Sequence, residues 1–212
     1  MKVIQVILAI FFVGLAVSVS AQPEHHNGQL QQVITISGTV AEWTYNDDFE
    51  YDGLYLNTGN ANILIKFPPH LAQQILALGN RLNVSGELRQ NPEGLQELKM
   101  NSMSGNGQTI YDQKPVSKPA STQEPFVNGE GKVKQTQINK KGETVGYILE
   151  NGVIIRIPPH IARQLSQIVQ TGATMGYTGF QKSLNPGHVQ AFDYKIIRVQ
   201  TISVNGTQYM IR

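Results

Sequence analysis

The 212-residue chain has no cysteine, a single tryptophan, and charge on only 15% of its residues. Without cysteine there are no disulfides, no thiolate nucleophiles and no thiolate metal sites, so stability has to come from packed apolar cores. Catalytic signatures are missing too: the chain holds no Gly-x-Ser-x-Gly, no His-Glu-x-x-His and no glycine-rich phosphate loop opening a helix. Gly129-Glu130-Gly131 stands at the end of a linker and opens no helix. These absences point to a non-enzymatic protein with no cofactor and no metal.

One apolar run is present, from Val6 to Val17, with Lys2 ahead of it and small residues after it up to Ala21. Roughly twelve apolar residues are short for ~30 Å of hydrocarbon, and Val19 and Ala21 supply the small side chains that a signal peptidase accepts. Residues 1–21 therefore read as a secretory signal peptide. No cysteine follows it for lipidation, and no second run is long enough to span a bilayer. The expectation is an exported protein, periplasmic or extracellular, with no stable membrane anchor.

The overall charge of +2 hides an asymmetry. Residues 22–112 carry four basic and ten acidic side chains, whereas 113–212 carry twelve and five. Two readings stand open: the halves dock on each other, or the basic half meets an anionic ligand.

Self-similarity explains the two halves. Ile65 to Leu76, IKFPPHLAQQIL, recurs in phase as IRIPPHIARQLS at Ile155 to Ser166. Outward from this word, Asn46, Glu50 and Gly53 match Asn139, Glu143 and Gly146. Gly79 and Gly86 match Gly172 and Gly179, and Asn91-Pro92 matches Asn185-Pro186. The order never breaks, so the chain is a duplication of a unit of about 80 residues. The boundaries expected are a lead-in at 22–32, an acidic domain at 33–112, a Pro/Ser/Lys-rich linker at 113–125 and a basic domain at 126–212.

Within a copy, Ile34, Ile36, Gly38 and Val40 alternate as a first strand, followed by a polar turn at Asn46 to Asp52. Gly53 to Leu56 and Ile63 to Phe67 form the next two strands. The Pro-Pro word then ends a strand and starts a helix, because the second proline suits a first helical turn while the first favours extended geometry. Leu71, Ile75 and Leu78 share one helix face, matched by Ile161, Leu165, Ile168 and Val169, and Gly79 and Gly172 are natural stops. Strands at Arg81 to Arg89 and Leu95 to Met103, joined by a turn at 91–94, complete the unit. Three strands, a helix and two strands is the element order of the OB-fold, so a mainly β protein with two tandem five-stranded barrels is expected, each with one short helix between strands 3 and 4.

Gly53-Leu-Tyr-Leu-Asn-Thr-Gly59 with Pro68-Pro69-His70-Leu-Ala72, and Gly146-Tyr-Ile-Leu-Glu-Asn-Gly152 with Pro158-Pro159-His160-Ile-Ala162, resemble a bacterial family of small OB-fold domains. That family carries a G-x-x-L-x-x-G strand pair followed by a Pro-Pro-His-x-Ala helix start. The resemblance covers about 25 residues per copy and implies a binding scaffold.

Ligand contacts in such a barrel are expected on strands two and three and the first loop. Lys66 and Arg156 are matched cations inside otherwise apolar third strands, suited to an anionic ligand on the second domain or to covering the barrel rim with their stems. His70 and His160 begin equivalent helices, where an imidazole contacts a ligand or satisfies backbone groups. Trp43, Tyr45 and Tyr55 belong to an aromatic run interleaved with Asp47, Asp48, Glu50 and Asp52, and Tyr147 lies on the second strand of the second copy. Rings beside carboxylates suit sugars or basic peptides better than a nucleic-acid backbone. Asp48, Glu50 and Asp52 also have half of a calcium-loop pattern, but Gly59 stands where the bidentate glutamate belongs. The function expected is binding of an oligonucleotide, oligosaccharide or peptide, or else a structural or protein-interaction role in the cell envelope.

Overall fold

A computed structural model describes residues 32–90, 96–114, 124–139 and 141–211. The signal segment at 1–21, the lead-in up to 31, the turn at 91–94 and linker residues 115–123 lie outside the described residues.

The first copy runs β1 (Val33–Tyr45), β2 (Tyr51–Asn57), β3 (Asn62–Lys66), a 3-10 turn at Pro69–Leu71, α1 (Ala72–Leu76), β4 (Arg81–Gln90), β5 (Gln96–Gly105) and β6 (Gln108–Tyr111). The second runs β7 (Phe126–Ile138), β8 (Thr144–Leu149), β9 (Val153–Arg156), α2 (Pro159–Leu165), β10 (Thr174–Gln181), β11 (Lys195–Val204) and β12 (Thr207–Met210). β1 is long enough to pair with β4 through its first half and β2 through its second. The barrel closes through the parallel pairing of β3 with β5, and β7, β10, β8, β9 and β11 repeat the scheme. Each copy is thus a closed five-stranded OB-like barrel with a short helix.

A sixth strand in each copy, β6 or β12, goes beyond the five expected. Its cause is local: Asn106-Gly107 and Asn205-Gly206 all have φ between 47° and 78°, the left-handed pair that folds a strand straight back on itself. The helices begin at the second proline of each pair; α1 stops close to Gly79 (φ 82°), but α2 ends at Leu165, so Gly172 (φ 86°) lies well beyond its end and Ile168 and Val169 follow the helix rather than lie on it.

Apolar residues at alternate strand positions fill each barrel. Leu54, Leu56, Ile65, Leu82, Val84 and Leu98 are fully buried in the first, with Ala72 and Ile75 of α1 closing one end. Val133, Leu149, Ile155, Met175 and Ile202 fill the second, where Ala162 and Leu165 of α2 do the same. Each fully buried Leu or Ile contributes about 1.5–3 kcal/mol, which is how a chain without disulfides holds two small barrels.

A β-bulge interrupts both barrels at the same place, between Ser85 and Gly86 and between Thr178 and Gly179. A Cβ at Gly86 would lie 2.2 Å from the Lys99 carbonyl oxygen, and at Gly179 it would lie 2.3 Å from that of Arg198. Only glycine lets the opposing backbone approach this closely. Gly179→Ala should therefore destabilise the protein by about 1–3 kcal/mol, while exposed Lys134→Ala should stay within about 0.5 kcal/mol. Urea unfolding midpoints of the two variants check this.

Candidate functional site

Gln32–Arg212 forms one compact unit, and the richest polar chemistry in it lies where the first-copy loop Asn46–Glu50 meets the second barrel. The loop folds from its own sequence. The Asn46 Oδ1 accepts the backbone N–H of Asp48 at 2.9 Å and of Glu50 at 3.0 Å, while the Phe49 N–H donates to the Asn46 carbonyl. Asn139 holds the twin loop the same way, accepting from Lys141 and Glu143 at 2.9 Å each.

One position separates the twins. Gly142 has φ 77°, ordinary for glycine, but its counterpart is Phe49 at φ 59°. A side chain in the left-handed region costs roughly 1–2 kcal/mol, so something must hold it there. The Phe49 ring caps a buried patch of Ile148, Ile154 and Ile196 together with Tyr194, its ring centroid 4.9 Å from that of Tyr194. Tyr45 and Phe192 extend the cluster, each about 5.5 Å from Phe49, and both stay more than 40% exposed.

Charge fixes the rest of the contact. Arg156 donates from Nε to Asp48 Oδ1 at 3.1 Å and from Nη2 to the same oxygen and to the Asp47 carbonyl. Lys182 bridges Asp48 at 2.6 Å and Glu50 at 2.8 Å. His188 Nδ1 donates to Glu50 Oε2 at 3.0 Å, and Gln137 Nε2 to the Asp47 carbonyl at 2.7 Å. The Glu50 side chain is only 4% exposed. Burial alone would raise the pKa of Asp48 and Glu50, but the hydrogen bond and charge of Lys182, aided by Arg156 at Asp48 and by His188 at Glu50, hold both below their ordinary values. Burial would lower Lys182; its two carboxylate partners raise it instead.

The second-copy loop from Lys182 to Tyr194 completes the seam. Tyr51 N–H donates to the Val189 carbonyl, Ala191 N–H to that of Phe49, and Gln73 N–H to that of Gly187. Val189 packs against the first core, so each barrel lends one apolar side chain to the other. Beside this loop is a cleft of about 350 Å³ lined by Glu50, Gln181, Lys182, Gln190, Tyr194 and Lys195, among others.

Strand register explains why the contact runs in one direction. Lys66, Arg89 and Lys99 of the first barrel correspond to Arg156, Lys182 and Arg198 of the second, so all three cations are kept. The carboxylates Glu42, Asp52, Glu87 and Glu97 correspond to Gln135, Val145, Phe180 and Ile196, so all four acids are lost. On the first barrel Lys66 binds Asp52 at 2.5 Å and Arg89 binds Glu87 at 2.5 Å. On the second, Arg156 and Lys182 take the carboxylates of the first-copy loop.

The residues singled out in the sequence scatter accordingly. Arg156 and Tyr45 are brought together at the seam. Lys66 stays on the first barrel with Asp52, and Tyr55 lies half-buried on the same strand pair. Trp43 packs edge-on against Tyr51 and Phe67 above the first core. Tyr147 faces inward, 2% exposed, and burial pushes its hydroxyl up. The two histidines part company: His70 Nε2 lies 2.9 Å from the Gln113 carbonyl oxygen, and His160 is exposed. Asp48 and Glu50, read as half of a calcium pattern, face cations. Sequence reasoning had Phe49 only as one ring of the aromatic run from Trp43 to Tyr55, and it missed Lys182, His188 and Phe192. The readable signal was the longer segment between the last two barrel strands of the second copy, Gln181 to Lys195 against Gln90 to Gln96.

Two outcomes follow for the seam. Phe49→Gly and Phe49→Ala remove the same ring, but glycine also sheds the left-handed penalty, so the glycine variant should unfold at the higher urea concentration by about 1 kcal/mol. That reverses the usual ranking of the two residues. Stability should also depend on pH at both extremes. Asp48 and Glu50, lowered in the folded state from 3.8 and 4.5, contribute fully above those values, and the contribution disappears as pH falls through their folded values. Lys182, raised from 10.5, contributes fully below that value and loses its contribution as pH rises through the folded one. Urea midpoints across pH should show a plateau between about pH 5 and 10 with a fall on each side, and Asp48→Asn should shrink the acid limb.

Compared with known proteins, the chain matches no family model, no curated protein and no solved structure.

Proposed function

We propose that the chain is an exported, non-enzymatic OB-fold binding protein whose two barrels present one composite surface. Its ligand, an oligosaccharide or a peptide, lies across the seam, over Tyr45 and Phe192 and into the adjoining cleft. One observation carries this reading: the strand-pair face of the second barrel, where an OB-fold ligand is expected, is filled by Asp48, Phe49 and Glu50. Recognition is thereby displaced to what borders that contact. The border combines two partly exposed rings with amide and charged groups of both signs, the mixture that holds a ligand by stacking on one side and hydrogen bonds on the other. Asp193 on the cleft wall and exposed Asp47 nearby weigh against a polyanion. Export is supported by the leading sequence, with its short apolar run and small residues.

A second reading has its own observation. The contact of acidic loop with basic face accounts for the charge split with no ligand at all, which favours a structural or protein-interaction module of the envelope.

Screening the full-length chain on glycan and peptide arrays separates the two. On the first reading, hits appear and Tyr45→Ala with Phe192→Ala weakens them roughly tenfold or more, whereas Lys66→Ala leaves them unchanged. Blank arrays would favour the structural module, and hits lost with Lys66 would move the site onto the first barrel.

A further inference from the structure

The contact between Asn46–Glu50 and the second barrel has the anatomy of an interface between separate molecules. Its ion pairs join Asp48 and Glu50 on one side to Arg156, Lys182 and His188 on the other, over sequence separations of more than a hundred residues. A ring enters an isoleucine patch, and a short antiparallel bridge joins Glu50 to Gln190. We propose that this contact also forms between chains, so that two copies associate reciprocally, the acidic loop of each seated on the basic face of the other.

Three observations carry the proposal. First, the loop is a preformed ligand. Its Asn46 clamp lies wholly within residues 46–50, and the twin clamp on Asn139 takes the same form in a loop whose Lys141 is exposed and whose neighbour Ile138 is 60% exposed. The clamp therefore sets the turn of the loop before it is seated, and the left-handed Phe49, held by its ring contacts, is the part that binding must order. Second, the acceptor reads chemistry that any copy of the loop carries: two carboxylates, one ring and the Asp47 carbonyl. Third, the described residues hold one such acceptor. The first barrel keeps the three cations but surrounds them with Glu42, Asp52, Glu87 and Glu97, which repel an incoming Asp-Asp-Phe-Glu loop. One donor and one acceptor per chain allow reciprocal exchange to close at two copies. Joined in one chain, loop and face meet at an effective concentration of order millimolar. A dilute chain therefore satisfies itself, and exchange emerges at high concentration or when the internal contact is blocked.

Two full-length variants test this by complementation. Asp48→Ala with Phe49→Ala spoils the loop and leaves the face; Arg156→Glu with Lys182→Glu spoils the face and leaves the loop. Each alone should sediment as a monomer. Mixed in equal amounts at roughly 100 µM, well within reach of an interface of modest affinity, they should form a 1:1 dimer through the one intact pairing, and that dimer should weaken with added salt. A mixture that sediments as monomers while each variant keeps the circular dichroism of the parent overturns the proposal, as does dimerisation of either variant alone. If a charge reversal unfolds a barrel, Phe49→Ala mixed with Arg156→Ala makes the same comparison. In that case wild type at millimolar against micromolar concentration gives the second readout: dimer at the high end supports exchange, and monomer at both ends refutes it.

Discussion

Glu50 is the constraint on which the arrangement turns. A carboxylate with 4% of its side chain exposed cannot remain ionised in isolation, because the cost of leaving water exceeds anything its own barrel offers. Asn46 supplies one weak contact at 3.3 Å; the charge that neutralises Glu50 comes from Lys182 and the second hydrogen bond from His188, both on the other copy. Breaking such a pair from either side strands a buried charge, and that couples two barrels whose apolar cores are otherwise separate.

The two copies show how a duplicated scaffold acquires a direction. Glycines, prolines and the asparagine clamp are alike because each answers a backbone requirement common to both barrels. The outer faces diverge because only water and the neighbouring barrel constrain them. With the three cations present and the four acids absent, the second barrel's surface is basic with an isoleucine floor where the first barrel's is internally neutralised. The opposite change in the loop, acids and a ring in one copy against Lys140, Lys141 and Gly142 in the other, supplies the complement.

Most of the fold was legible in the sequence. Hydrophobic alternation, the Pro-Pro word and the stop glycines each act through local backbone physics, which is why element order and barrel class could be read from them. The extra strand at the end of each copy was missed even though its Asn-Gly turn is among the strongest hairpin signals. The site was less legible. Arg156 stood out because it is a cation in an apolar strand, but its partner lies 108 residues away and only the packing of whole barrels selects it. Phe49 was legible only as one ring of the aromatic run. It becomes unusual only beside its counterpart Gly142, since the anomaly is conformational and not compositional. Tyr147 illustrates the converse: a ring on the expected ligand strand that the pleat turns inward to the core.

The separation of the apolar clusters has a mechanical consequence. Two large cores and one patch of three isoleucines share no buried residue, and the barrels reach each other's apolar clusters only through Val189 and the Phe49–Tyr194 ring contacts among the described residues. The joint between the barrels therefore combines ion pairs, backbone hydrogen bonds and apolar side chains lent across it. Salt screens only the first of these three, so ionic strength is a lever on the joint that leaves the apolar cores untouched.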